Sequence, residues 1–236
     1  MQQGDLPVFR APDTSVAVES GTKTGQGRQG MARTRSENYD DVQAGILRNA
    51  ARLFATRGYE RSSIGDLVEA CELSRGAIYH YFDSKEAILF AMMDSLVRNL
   101  LAHLEQAVAG GGAPLEKFER VIEAFVECNA QSPEEQIVLL NGLGALKTEE
   151  QRQIVQTERK IVELVGKVLN EIDVTKKLNR KNARVYTMML FGMINYTYTW
   201  YDAKGPIKPK QFAQLAAGLF LNGFLADSSA RRSSRE

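Results

Sequence analysis

An all-α fold is expected, and three observations predict it. Apolar residues recur at helical spacing through most of the chain between residues 41 and 226. No proline occurs between Pro12 and Pro114, which suits four consecutive helices. Ser and Thr residues followed at the right distance by acidic or amide residues mark repeated helix starts. About nine helices fit this pattern, divided between an N-terminal three-helix bundle over 33–84 and a larger helical unit over 85–227.

The first helix runs from Asp40 or Asp41 to Arg57, with Ile46, Leu47, Ala50, Ala51, Leu53 and Phe54 inward and Gly58 ending it. Ser63 and Asp66 then form a capping pattern for a short helix whose apolar face is Ile64, Leu67, Val68 and Cys71. Glu72 and Leu73 make a turn, and Ser74 caps a second short helix through Ala77, Ile78 and Tyr81. Two short helices across a tight turn form a helix-turn-helix, the device that sets its second helix in a DNA major groove.

On that second helix, Arg75, Gly76, Tyr79 and His80 are left to face outward. Tyr79 and His80 can donate to phosphates, and Arg75 can reach a guanine edge or a phosphate. Ser62, Ser63, Ser74, Ala77 and Lys85 complete the expected DNA-contacting set, Lys85 as a cation in the first turn of the next helix. Arg33 and Arg35 precede the first helix, either as an arm to the phosphate backbone or minor groove or as a solvated basic end. The same pattern also reads as a plain helical hairpin with solvated polar residues.

From Ser84 to about Ala109 the chain reads as one long helix, its apolar face carrying Ile88, Met92, Leu96, Leu100, Leu104 and Ala107. His103 falls near that face, as a hydrogen-bonded core residue or a ligand contact. Gly110-Gly111-Gly112 breaks the chain, and no phosphate-loop pattern follows it. The next helix, Pro114 to Ala130, turns Leu115, Phe118, Val121, Ile122, Phe125 and Val126 inward. Ser132-Pro133 opens a helix carrying Ile137, Leu139, Leu140, Leu143 and Leu146. Thr148 and Gln151 form a capping box for a helix to about Ile172, whose solvated face includes Glu149, Glu150, Arg152, Glu158, Arg159 and Lys160.

The stretch from about Leu178 to Asp202 is aromatic-rich and sets Asn195, Thr197 and Thr199 in apolar company. A buried polar group needs a partner, and a ligand is one candidate. His103, Phe125, Phe191, Asn195, Tyr198 and Trp200 are the candidate ligand-lining residues; a packed core or dimer helix is the competing explanation. The final helix, near Pro209 to Ala226, is too apolar for a lone surface helix. Tyr196, Phe212, Leu215, Ala216, Leu219, Phe220 and Gly223 are the candidate dimer contacts.

Both ends differ from the rest. Residues 1–32 are rich in Gly and Pro with little apolar periodicity and read as a disordered extension, as does the polar 228–236 tail. Met31 begins MARTRSENYDD, a natural start, so translation beginning there is one expectation and a genuine floppy tail the other.

Bulk properties narrow the classes. With 236 residues, 44% hydrophobic and 25% charged, the chain has ample core and globular composition. A net charge of +1 gives no global basic field, so any nucleic-acid contact must be local. Cys71 and Cys128 sit on apolar faces and read as buried small hydrophobes, fitting a reduced cytoplasmic setting. No apolar run approaches the ~20 residues of a membrane helix. His80 and His103 lie on different helices, and there is no H-E-x-x-H, C-x-x-C, nucleophile elbow or Walker motif. An enzyme is not expected, nor is a metal or cofactor.

LFATRGYERSSIGDLVEACELSRGAIYHYFDSKEAIL resembles the N-terminal signature of TetR/AcrR-type transcriptional regulators. The likeness covers about residues 41 to 90 and rests on Leu53-Phe54-Ala55, Gly58-Tyr59, Ser63-Ile64, Ser74-x-Gly76, Tyr79-His80-Tyr81-Phe82, Ser84-Lys85-Glu86 and Leu89. Gly65 departs from it, where relatives carry a larger residue, and implies local softness. The resemblance implies a homodimeric DNA-binding regulator, usually a repressor, whose C-terminal helices bind a small effector and pair with a second copy. It also implies that the long helix links the two halves.

INYTYTWYDAKGPI, followed by an Ala/Leu-rich helix, resembles the C-terminal part of TetR-type regulators that sense acyl-coenzyme A thioesters. That implies an acyl-CoA effector; a hydrophobic effector without CoA is the alternative. Lys208-Pro209-Lys210 departs from the expected helix start and leaves two cations there, as plain surface charges or as contacts for a ligand's phosphates.

Overall fold

A computed structural model describes residues 35–174 and 176–225, with the side chains of 35–38, 198, 224 and 225 outside the description. Among the described residues every regular element is helical, without a strand: α1 Arg35–Arg57, α2 Ile64–Cys71, α3 Arg75–Tyr81, α4 Lys85–Ala109, α5 Pro114–Gln131, α6 Pro133–Gly142, α7 Thr148–Ile172, α8 Ala183–Asn195 and α9 Pro209–Leu225. Short 3₁₀ turns follow α6 at Leu143–Ala145 and α8 at Tyr196–Thr199. Arg33, the two ends and the start at Met31 lie outside the described residues, as does the side chain of Arg35.

Local chemistry sets most helix starts. Ser63 accepts from the Asp66 N–H, while the Asp66 carboxylate accepts from the Ser63 N–H at 2.8 Å. Ser74 and Ser84 cap α3 and α4, each accepting a backbone N–H three residues on at 3.1 Å. Gly58, at φ +83°, stops α1 in a conformation open to glycine at little steric cost. Glu72 closes α2 in the left-handed region at φ 53°, and there the turn between the two short helices is made.

Two boundaries differ from the sequence expectation. α6 ends at Gly142, so Leu143 and Leu146 lie beyond it; a Cβ at Gly142 would come within 3.0 Å of the Met93 side chain, so α6 approaches α4 closely there. α7 is capped one residue earlier than expected: Glu150 accepts the Lys147 N–H at 3.0 Å, and Gln151 is spent on the Leu146 carbonyl at 2.8 Å. In the aromatic stretch, for which sequence sets no helix bounds, α8 ends at Asn195 and tightens into a 3₁₀ turn at Tyr196. The Thr197 and Thr199 hydroxyls donate to the carbonyls of Ile194 and Tyr196, both at 2.7 Å.

Two cores form along α4. Ile46, Ala50, Phe54, Leu67, Ile78 and Phe82 join Ile88, Leu89, Met92, Met93 and Val97 of the first half of α4, and Val138, Leu146 and Ile154 close that cluster. Leu100 and Leu104 of the second half join Phe118, Ile122, Phe125, Val165, Leu169, Leu190, Phe191 and α9 residues in the other. α4 is long and apolar enough to cross a membrane by length and composition. In the fold it is the central helix, packed by α1, α5, α6 and α7.

Candidate functional site

The helix-turn-helix presents one exposed face. Arg75, Gly76, Tyr79 and His80 on α3 are exposed, as are the capping residues Ser63 and Ser74. Ile78 is fully buried and fixes α3 on the core. Ala77 is half-buried, so it presents less to an outside partner than its neighbours. Tyr39, near the start of α1, braces α3 from the side: its ring lies 4.5 Å from that of Tyr81 and edge-on to His80 at 6.0 Å. Tyr39 was missed because it precedes the periodic apolar run that locates α1.

Two expected DNA contacts are spent inside the protein instead. Ser62 is 3% exposed and donates its hydroxyl to the Gly58 carbonyl at 2.8 Å. Lys85 donates to the carbonyls of Tyr59 and Ser62, at 3.1 and 2.9 Å, and sits over the Tyr59 ring at 4.1 Å. The Tyr59 hydroxyl donates to Glu86 at 3.1 Å, and burial raises the phenol's pKa. Glu86 is held below the usual carboxylate range by its own backbone N–H, then by Ser84 and Tyr59. The loop between α1 and α2 is thus tied to the first turn of α4.

A cavity of about 730 Å³ opens between α7 and α8. Leu96, Val97 and Leu100 of α4, Phe125 of α5, Ile161 of α7 and Phe191 of α8 line it, all of them buried. The Phe125 and Phe191 rings lie 5.3 Å apart. Asn195 lines the cavity too, so Phe125, Phe191 and Asn195 share one cavity.

His103 and Trp200 do not join them. His103 is exposed, its Nδ1 is 2.7 Å from the Asn99 carbonyl, and it borders a separate 260 Å³ cavity against α1. Trp200 is 62% exposed and packs edge-on against Phe212 at 5.7 Å. The side chain of Tyr198 lies outside the described residues.

Polar lining residues were missed. Gln136 on α6 faces the cavity and donates to Asn129 of α5 at 3.0 Å; Asn129 in turn approaches the Ile194 carbonyl at 3.5 Å. Asn129 and Gln136 are only 3% and 8% exposed, so this is a buried polar link across three helices. A signal for Asn129 was present, because it falls at helical spacing after Phe118, Ile122, Phe125 and Val126. Glu158 and Arg159, expected on the solvated face of α7, also line the cavity, with Glu163, Arg184 and Thr187. Burial pushes the Glu158 carboxyl pKa up.

The candidate dimer residues divide. Leu215 and Leu219 on α9 are 61% and 71% exposed, and Tyr196 and Gly223 are exposed as well. Val185 and Met189 are exposed apolar residues on α8. Ala216 and Phe220 instead point into the protomer's own core, where Phe220 stacks on Phe118 at 5.9 Å. Phe212 is half-buried beneath Tyr201, with ring centroids 4.8 Å apart. The cations flanking Pro209 are engaged locally: Lys208 donates to the Lys204 carbonyl at 3.2 Å, and Lys210 lies 3.6 Å from Glu123.

Known families match both halves. Residues 46–92 match the family described as bacterial regulatory proteins, tetR family, and residues 111–224 match the tetracyclin repressor-like C-terminal domain. The crystal structure of a TetR-family transcriptional regulator from Bordetella parapertussis 12822 is 38% identical, with a TM-score of 0.74, over 79% of this chain and 97% of that one. The HTH-type transcriptional regulator EthR of Mycolicibacterium smegmatis is 34% identical over 119 residues, which is 50% of this chain and 53% of that regulator. This chain therefore spans about half the length of that curated relative. AibR, solved in complex with isovaleryl coenzyme A and operator DNA, shares the fold at a TM-score of 0.65 and 23% identity, over 75% of this chain and 97% of that one. With a helix-turn-helix at one end, a helical domain around a cavity at the other, and family matches to both, this chain belongs to the TetR family of transcriptional regulators.

Proposed function

We propose that the chain is a homodimeric repressor in the cytoplasm, released from a palindromic operator by an acyl-coenzyme A thioester in the α7–α8 cavity. Two copies joined through the exposed α8 and α9 surfaces hold their α3 helices about one DNA turn, ~34 Å, apart. Arg75, Tyr79 and His80 make the outward contacts, and Ser63 and Ser74 face the same partner.

One observation carries the reading: the helices that line the cavity also build the helix-turn-helix core. Leu96, Val97 and Leu100 line the cavity, while the turns of α4 before them share one core with Leu67 of α2 and Ile78 of α3. Gln136 and Leu139 line it from α6, while Val138 joins the N-terminal core. An effector that binds better when α4 and α6 are shifted pulls the recognition helices off their spacing, by no more than its difference in affinity between the two states. The apolar floor suits an acyl chain, and Asn195, Gln136 and Thr187 suit a few polar contacts. AibR, which shares this fold, is solved in complex with isovaleryl coenzyme A and operator DNA, and that supports the effector class.

The test is fluorescence anisotropy with the gene's own upstream DNA, with and without straight-chain and aromatic acyl-CoA thioesters. Release by one thioester and not by its free acid is the expected result. Binding that no thioester reverses removes the acyl-CoA effector and leaves the regulator.

A further inference from the structure

The segment between α7 and α8 concentrates positive charge in a chain that is nearly neutral. Lys176, Lys177, Arg180, Lys181 and Arg184 fall between residues 176 and 184, against Asp173 just before them. Asp173 is occupied in shaping the segment, its carboxylate accepting from the Lys177 and Leu178 N–H groups at 3.0 and 2.6 Å.

Arg180, Lys181 and Arg184 are brought together by the backbone. The N–H groups of Asn182 and Ala183 both donate to the Asn179 carbonyl, at 3.2 and 3.0 Å, so the chain already coils before α8 begins. Residues three and four apart on such a coil are neighbours, and Arg180 and Lys181 stand at those distances from Arg184. Asn182 Nδ2 donates to the Lys177 carbonyl at 2.9 Å, and Asn182 Oδ1 accepts the Asn179 N–H at 2.8 Å, which holds this arrangement in advance of any ligand. All three cations are exposed, and none forms an ion pair among the described residues.

A second and independent observation is the cavity itself. Ala183 and Arg184 are part of its lining, so the basic segment is continuous with its mouth. Leu96, Leu100, Phe125 and Phe191 give it an apolar surface, whereas Glu163 lines it from α7 and disfavours an anion on that side. An elongated ligand with an apolar tail and an anionic head therefore has one favourable orientation: tail inward along Leu100 and Phe125, head out over the start of α8.

We propose that Arg180, Lys181 and Arg184 form a subsite for a phosphate-bearing head of the effector. This rests on the reading of the cavity as the effector site and adds the group that would distinguish a phosphorylated conjugate from its free acid. Arginine forks and a lysine ammonium suit phosphate oxygens, and the N-terminal end of α8 adds a favourable dipole. Arg159, also at the cavity edge, stands on the α7 side and is outside the subsite.

The experiment is isothermal calorimetry of the full-length protein with a panel of acyl-CoA thioesters, the matching free acids and CoA itself, for wild type and for the Arg180→Glu/Lys181→Glu variant. Affinity for the tightest thioester is expected to fall by at least about tenfold in the variant, the scale of losing charge-assisted phosphate contacts, and to be salt-sensitive in the wild type. Affinity for the free acid and for upstream DNA is expected to be unchanged. Arg180→Ala/Lys181→Ala, a milder change at exposed positions, is expected to lose affinity in the same direction. Equal thioester affinity in wild type and variant would overturn the subsite and leave the acyl-CoA reading standing. If the wild type binds thioesters no better than free acids, both are overturned. A loss of DNA affinity with unchanged thioester affinity would assign the segment to DNA and overturn the subsite.

Discussion

Lys85 and Tyr59 form the clamp between the two halves. The Lys85 ammonium donates to the Tyr59 and Ser62 carbonyls and lies 4.1 Å from the Tyr59 ring centre, so the first turn of α4 grips the loop that enters the helix-turn-helix. As a cation in the first turn of the next helix this lysine suggests a DNA contact, whereas its geometry makes it a strut. Lys85→Ala is expected to destabilise the protein by about 1–2 kcal/mol, allowing for its partial exposure. DNA affinity should fall without a change in the slope of log affinity against log salt. A slope reduced by about one would instead identify Lys85 as a phosphate contact.

Glu158 gives a pH signature. Burial raises its carboxyl pKa above the ordinary 4.5. Between the unfolded and the raised folded value, the folded state therefore holds a proton that the unfolded state has released. Stability from this group is fully present below the unfolded value and is lost as pH rises through the higher folded value. Glu158→Gln should raise the urea midpoint near neutral pH and flatten its decline across that window. Curves that run parallel for the two proteins would show that Glu158 is not buried as charge. Glu135, whose pKa is also raised, first by burial, remains in both proteins and cancels in the comparison.

Asn195 tests the cavity without disturbing the DNA face. Asn195→Ala is expected to keep upstream-DNA affinity within about twofold and to raise the half-releasing effector concentration about tenfold, the scale of one hydrogen bond. Anisotropy with and without effector reads both. Equal release by the two proteins would remove Asn195 from the site.

Leu219 tests the pairing surface. It is 71% exposed on α9, beside Leu215. Leu219→Arg is expected to yield a helical monomer in sedimentation equilibrium and to weaken DNA binding, because a half-site contact replaces a paired one. A variant that stays dimeric would move the interface elsewhere.

The helices were legible wherever local chemistry sets them. Ser63, Ser74 and Ser84 cap where the sequence places caps, and the long α4 and α7 follow their apolar spacing. The turn of α8 into a 3₁₀ segment was not legible, because Asn195 to Thr199 has no Gly or Pro to mark a break. Site assignment failed where a residue type suits two jobs. Ser62 and Lys85 carry donors suited to phosphate, but backbone carbonyls lie closer. Phe220 and Leu219 are adjacent apolar residues on one helix, and only packing against Phe118 decides which faces inward. Glu158 looks solvated in sequence because charge usually is; the α7–α8 separation, a tertiary property, half-buries it at a cavity, while Arg159 lines the same cavity and stays exposed as expected.

The claim that the exposed face of α3 reads DNA is tested most directly by titrating upstream DNA at several salt concentrations with wild type and with Arg75→Ala/Tyr79→Phe. The account predicts tight, salt-sensitive binding by the wild type. It predicts a loss of about tenfold or more in the variant, with relaxed preference between operator and scrambled DNA. Unchanged affinity and unchanged preference in a folded variant would contradict it.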